Sequence, residues 1–245
     1  MHPRLLDVPL PPTRWTRTVQ VLTRRAVRQR YRVDVIGAEF VPDTGPVILA
    51  ANHMGYADGP LLFAVAPRPV HALVKSTMFV GRLGYALTQT GQISVNRRQL
   101  DLKAVKSCLR VLDSGGVVAI YPEGVRGVGD VQRTKPGAAY LALVSGAPVV
   151  PVACLGTRES GAPFDSTPVR GSRLAVVFGP PVHIAPVSWS RTRGRVAGEQ
   201  AHLQEILAKH VQSACQATGF PLPALPAPTL PAPTLAGVEA PSSSR

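Results

Sequence analysis

Val47-Ile48-Leu49-Ala50-Ala51-Asn52-His53-Met54-Gly55-Tyr56-Ala57-Asp58 decides the fold. Its first five residues are an apolar run that reads as a buried strand. The run ends in Asn52-His53, and a carboxylate follows five residues after the histidine. Gly59-Pro60 then suits a helix start, with Asp58 as its N-cap and Gly59 to Val65 as a short helix. A buried strand, a polar turn and a helix form the opening of a strand–helix–strand unit.

The same rhythm continues on both sides. Strands are expected at 31–36, 70–74 ending at Lys75, 92–95, 117–121, 149–155 and 174–178. Helices are expected at 81–88, 100–112, 138–145 and 199–218. The helix at 100–112 places Leu102, Val105, Leu109 and Leu112 on one face, and Gly115-Gly116 stops it. Short continuous apolar strands alternating with helices predict an α/β fold with a mixed, largely parallel central sheet flanked by helices. A chain of 245 residues can bury one substantial core.

Both ends differ from this middle. Eight arginines crowd the first 32 residues against Asp7 as the only acid, within a net charge of +13 for the whole chain. Trp15, Val19, Leu22, Ala26 and Val27 recur at three-to-four spacing, with arginines over much of the rest. This predicts a basic amphipathic helix in residues 1–30, able to lie in an anionic membrane interface or to dock on the core. From Pro221 onward a five-residue near-repeat, Leu225-Pro226-Ala227-Pro228-Thr229 and Leu230-Pro231-Ala232-Pro233-Thr234, precedes a Ser-Ser-Ser end. Residues 219–245 are therefore expected to form a disordered tail, leaving 31–218 as the folded domain. No uninterrupted apolar stretch of about 18 residues exists, which predicts no transmembrane helix. No apolar segment before a small-residue cleavage site marks a secretory signal. Cys108, Cys154 and Cys215 are odd in number and widely spaced, which suits a reducing cytosol.

The chemistry is expected at His53 and Asp58. On one continuous helix, five residues turn through about 500° and leave two side chains roughly 140° apart. The pair can meet only if His53 lies in the loop after the strand and Asp58 at the helix start, with Gly55 permitting the bend. Asp58 would then fix the imidazole tautomer and leave the other ring nitrogen as a base. No serine or cysteine is placed as an obvious covalent nucleophile, so a substrate hydroxyl is the natural proton donor. A second polar cluster follows another apolar strand at Tyr121-Pro122-Glu123-Gly124-Val125-Arg126-Gly127.

Asn52-His53 to Asp58 resembles the N-H-x(4)-D block of the glycerolipid acyltransferases, the family of 1-acylglycerol-3-phosphate acyltransferases. Gly91 to Arg97 falls where that family has its G-x-x-F-[IV]-D-R block, Tyr121 to Arg126 resembles its F-P-E-G-T-R block, and Val149-Val150-Pro151-Val152 resembles its fourth. The blocks occur in order and at matching spacing across residues 30–185. The resemblance implies transfer of a fatty acyl group from acyl-CoA or acyl carrier protein to the hydroxyl of lysophosphatidic acid, another lysophospholipid or glycerol phosphate. His53 and Asp58 would be catalytic. Arg97, Glu123, Gly124 and Arg126 would bind the acceptor's phosphate, with Glu123 orienting an arginine or a hydroxyl. Lys75 adds a candidate charge at the end of its strand. Guanidinium groups bind phosphate oxygens in pairs, and glycine admits backbone N–H groups. No metal or cofactor is implied, and the expected location is peripheral, on the cytoplasmic face of the cell membrane. The chain departs from the blocks at Gly55 (serine in the family), Ser94 and Asn96 (phenylalanine and aspartate), and Val125 and Gly127 (threonine and serine).

Three other readings compete. The sequence pI near 10.6 admits a nucleic-acid binder, but aromatics are 5% of the chain and no aromatic–basic interleaving appears. A metal-dependent hydrolase could use His53, Asp58 and Glu123, but these motifs offer few ligands. A member of the family that binds lipid without turnover is the third.

Overall fold

The computed structural model describes residues 7–187 and 192–226. Arg4 of the arginine cluster and residues 227–245 of the expected tail lie outside these. The elements run α1 (Thr16–Arg30), β1 (Arg32–Ile36), β2 (Val47–Ala51), α2 (Asp58–Val65), β3 (Val70–Lys75), α3 (Gly81–Gln89), β4 (Ile93–Val95), α4 (Leu102–Asp113), β5 (Val117–Ile120), α5 (Gly137–Ser145), β6 (Val149–Leu155), β7 (Arg173–Phe178) and α6 (Arg193–Thr218). The seven strands form one sheet in the order β1-β7-β6-β2-β5-β3-β4. Every pairing is parallel except β6 with β7. The sheet is mixed and largely parallel, and β2, β3, β4, β5 and β6 all point their carboxyl ends to one edge. In open α/β sheets that edge is where ligands bind.

The central strands β2, β5 and β6 are buried along their whole length. Their residues alternate between two cores, as the strand period of two requires. Ile48, Ala50, Val118 and Ile120 pack with residues of α4, α5 and α6, among them Leu109, Leu112, Leu141 and Leu207. Val47, Leu49, Ala51, Val117 and Ala119 pack on the opposite face with Leu61, Leu62 and Val65 of α2.

Three expectations need correction. In α4 the buried face is Ala104, Cys108, Leu109, Val111 and Leu112, while Leu102 is exposed, because the helix begins there with Asp101 as its cap. In α1 the expected apolar stripe docks only in part: Val27 packs on the core and Val19 is half-buried, while Trp15, Leu22 and Ala26 are exposed. Thr16 and Gln20 are buried. Gln20 Nε2 donates to the carbonyls of Phe63, Ala66 and Arg68, and Arg24 Nε donates to that of Ala64. The Phe63, Ala64 and Ala66 carbonyls are at the C-terminal end of α2 and lack partners within the helix, and that of Arg68 lies in the turn that follows. Trp15 and Leu22 remain 50% and 58% exposed. Finally, residues 219–226 do not float free. Pro223 is buried, Phe220 lies under the Arg173 guanidinium at 5.0 Å, and Ala224 donates its N–H to Ser160 Oγ at 3.0 Å.

Candidate active site

β2 delivers His53 to the carboxyl edge of the sheet, and Asp58 is the first residue of α2. The histidine is 7% exposed and the aspartate 0%. His53 Nδ1 lies 2.8 Å from Asp58 Oδ2. A carboxylate accepts, so Nδ1 carries the proton and Nε2 keeps the free lone pair. The same Oδ2 accepts the backbone N–H groups of Met54 at 2.7 Å and Gly55 at 2.9 Å. Asp58 therefore does not cap α2 as expected. Ala57 occupies the N-cap position, and the carboxylate turns back onto the loop that precedes its own helix. Asp58 Oδ1 accepts from the hydroxyl of Thr157, which follows β6.

Gly55 also has a role other than the expected one. It is absent from the residues with positive φ, so it does not serve as a left-handed bend. A Cβ at that position would stand 3.1 Å from the Thr157 carbonyl oxygen and 3.2 Å from Arg158 Cβ. Glycine leaves room for the close approach of the segment after β6, which any side chain here would push back by a few tenths of an ångström.

The third block is fastened to the first through the backbone of His53. Glu123 Oε1 accepts the His53 N–H at 2.7 Å, and the His53 carbonyl accepts from Gly127 N at 2.9 Å. The Tyr121 ring stacks on the imidazole with centroids 4.3 Å apart. The Glu123 carboxylate thus faces the histidine loop, and among the described residues it bonds neither an arginine nor a hydroxyl, contrary to expectation. Burial, opposed by its bond from the His53 N–H, pushes its pKa up to about 7. Asn52, fully buried, ties the end of β2 to β6 and to the loop after the third block. Its Oδ1 accepts Cys154 N at 2.7 Å, and its Nδ2 donates to the Gly129 carbonyl at 3.3 Å. A Cβ at Gly129, whose φ is +78°, would fall 2.4 Å from Met54 Cγ.

Outside this buried layer stand the cations. Arg97 Nη1 donates to the Gly124 carbonyl at 3.2 Å. Arg126 Nη1 donates to the Phe164 carbonyl at 3.2 Å, and its guanidinium lies 5.6 Å from the Tyr56 ring centre. Partial burial and the neighbouring Arg126 charge lower the pKa of Arg97. Lys135 joins them: its Cε lies 2.7 Å from where a Gly124 side chain would begin. Lys75 is the exposed last residue of β3, on the same edge, in register with Val95. The structure thus gathers His53, Asp58, Glu123, Gly124, Arg97 and Arg126, and sets Lys75 nearby.

Sequence reasoning missed Lys135, Thr157 and Arg158. Arg158 is 3% exposed, and its guanidinium donates to the carbonyls of Met54, Gly127, Ala162 and Ala224. Cys154, beside this layer, is held as a thiol, since burial and Asp58 both raise its pKa. Among the described residues, no three His, Cys, Asp or Glu side chains gather as a metal would need. The site is a buried base with a rim of positive charge, suited to take a proton from a hydroxyl on a molecule that also carries an anion.

The sequence model of the Acyltransferase family matches residues 32–155. A 1-acyl-sn-glycerol-3-phosphate acyltransferase of Chlamydomonas reinhardtii is 34% identical over 60% of this chain and 46% of its own length. One of Bacillus subtilis is 26% identical over 67% of this chain and 81% of its own. The chain therefore spans about half the length of the first relative and most of the second. The crystal structure of the 1-acyl-sn-glycerophosphate acyltransferase PlsC from Thermotoga maritima shares the fold, with a TM-score of 0.63 at 19% identity, covering 81% of this chain and 79% of that one. With the family's sequence model spanning half of the chain, and the resembling blocks brought to one edge of one sheet, the protein belongs to the Acyltransferase family.

Proposed function

We propose that the protein transfers a fatty acyl group from a thioester, acyl-CoA or acyl carrier protein, to the free hydroxyl of lysophosphatidic acid or a related phosphate-bearing acceptor. The observation that carries this reading is the free Nε2 of His53, with Nδ1 held by Asp58, beside Arg97 and Arg126. In the reaction, His53 Nε2 takes the hydroxyl proton as the acceptor oxygen attacks the thioester carbonyl. The tetrahedral intermediate collapses, its carbon–sulfur bond breaks, and the imidazolium returns the proton to the departing thiolate. The products are an ester and a free thiol, with no acyl-enzyme. Arg97, Arg126 and Lys135 hold the acceptor's phosphate by charge-assisted hydrogen bonds.

The test is incubation of the purified protein with radiolabelled acyl-CoA, or with acyl carrier protein charged with the same chain, against lysophosphatidic acid, other lysophospholipids and glycerol phosphate. Labelled phosphatidic acid on thin-layer chromatography is the expected product. Binding of lysophosphatidic acid with no labelled product from any pair would leave a lipid-binding protein in its place.

The reading extends to a peripheral position on the cytoplasmic face of the cell membrane. No helix among the described residues is long and apolar enough to cross a membrane. The exposed stripe of α1 pairs Trp15 and Leu22 with Arg14, Arg17, Arg25 and Arg28. Such a face enters the headgroup region and meets anionic lipid. Thr16 Oγ1 donates to the Thr90 carbonyl, so α1 begins beside the end of α3, which also exposes Leu83 and Tyr85. Replacing Trp15 and Leu22 with serine is expected to weaken sedimentation with anionic liposomes. Unchanged sedimentation would remove α1 from the membrane contact.

A further inference from the structure

We propose that Thr157 is a positioning residue of this site, acting on His53 through Asp58. The inference rests on the acyl-transfer reading above. Three donors converge on Asp58 Oδ2, namely His53 Nδ1, Met54 N and Gly55 N. Among the described residues, only the Thr157 hydroxyl reaches Oδ1. Both residues are 0% exposed, so water does not replace that donor from the surface. A carboxylate gripped at one oxygen alone can turn about its Cβ–Cγ bond, and Oδ2 then leaves the line of the imidazole N–H. Gripped at both oxygens, it presents one orientation, which is what fixes the imidazole ring and its tautomer.

The place of Thr157 is itself determined. β6 lies beside β2 in parallel register, with Ala51 opposite Val152, so the residues after β6 fall next to those after β2. Arg158 then locks the segment, donating from Nε to the Met54 carbonyl at 2.9 Å and from Nη2 to the Gly127 carbonyl at 3.0 Å. Burial lowers the Arg158 pKa, and the Asp58 charge works against that lowering, so the two charges lie close enough to attract. The bare Cα of Gly55 lets this segment approach. At that position the resembling block carries serine, so in this chain the one missing side chain of the loop faces Thr157 and Arg158.

The experiment compares wild type with Thr157→Val, which keeps the shape and loses the donor, and Thr157→Ser, which keeps the donor. Each is also made in an Asp58→Asn background. We expect Thr157→Val to lower kcat roughly tenfold or more, the value of a hydrogen bond to a charged group, with the KM values for acceptor and thioester within about twofold. Thr157→Ser should restore kcat to within about threefold of wild type, and Thr157→Val should add less than about twofold once Asp58 is asparagine. An unchanged kcat in Thr157→Val, or the same loss in both backgrounds, overturns the proposal. A ¹⁵N spectrum of the His53 ring supplies a readout independent of turnover. Wild type should show the Nδ1–H form, and Thr157→Val a mixture of tautomers; identical spectra overturn the proposal. If valine prevents folding, Thr157→Ala takes its place in every comparison. A wild-type protein that transfers no acyl group to any acceptor defeats the acyl-transfer reading alone, and the spectra still decide the role of Thr157.

Discussion

His53 with Asp58, and Arg97 with Arg126 and Lys135, sit on one edge of one sheet and are held in opposite ways. The first pair is buried, and every oxygen of the carboxylate has a donor. The second group is partly or wholly exposed, with each arginine fastened by a hydrogen bond to a backbone carbonyl. A base must meet a reacting proton within a few tenths of an ångström, so its orientation is set before the substrate arrives. A phosphate presents several equivalent oxygens, so cations tethered at a single point can meet it in more than one arrangement. On the proposed function, the contrast gives turnover to the buried layer and affinity to the rim.

The largest expected effect breaks the buried layer. His53→Ala should lower kcat by about 10³-fold, within the range for loss of a general base, and leave the circular dichroism spectrum unchanged. Near-normal turnover would end the assignment of His53 as base. Next, Arg126→Ala should raise the KM for a phosphate-bearing acceptor roughly tenfold or more, with kcat within about twofold. A fall in kcat at constant KM would erase the division between layer and rim. Glu123 tests the joint between them. Its carboxyl has a pKa pushed up to about 7 by burial, so the folded state favours the protonated form. Its contribution to stability is full below the ordinary carboxyl range and is lost as pH rises through about 7. Glu123→Gln keeps an oxygen for the His53 N–H and does not titrate. Its stability relative to wild type should grow by on the order of 2 kcal/mol between pH 5 and 8, read as melting temperature; a difference independent of pH would contradict the burial argument. The smallest effect is at the C-terminus. Ending the chain after Pro226 should leave kcat unchanged, whereas ending it after Thr218 removes the Ala224 carbonyl that Arg158 holds and should lower melting temperature. Equal melting curves for the two would detach the segment from the site.

The strands were legible because short apolar runs bounded by glycine and proline leave little choice, and the alternation with helices fixed the sheet type. Helical geometry gives the condition under which His53 and Asp58 meet, a loop followed by a helix start, and the resemblance to the N-H-x(4)-D block is what marks them as a pair. The docked face of α1 was not legible. Counting apolar residues selects Trp15 and Leu22 along with Val27, but only Val27 of these packs on the core, and the rest of the hold is Gln20 and Arg24 on carbonyls at the end of α2, an interaction with no hydrophobic signature. A carboxylate before Gly59-Pro60 usually caps the helix, whereas the bonds of Asp58 to Met54 and Gly55 depend on a turn that spacing does not specify. Thr157 lies 99 residues from its partner. Only the order of strands in the sheet brings the two together, and a reading that had placed β6 beside β2 could have searched the residues after Leu155 for a donor.

Both backbone groups of His53 are bonded to the third block, one to Glu123 and the other to Gly127. The two loops therefore cannot part separately. In hydrogen exchange the amides of His53 and Gly127 should open as one unit, since either is released only when the seam between them gives way. An excursion that disorders the base also displaces Arg126, one residue from Gly127. On the proposed function, opening of this seam would unseat the base and the Arg126 side of the rim together.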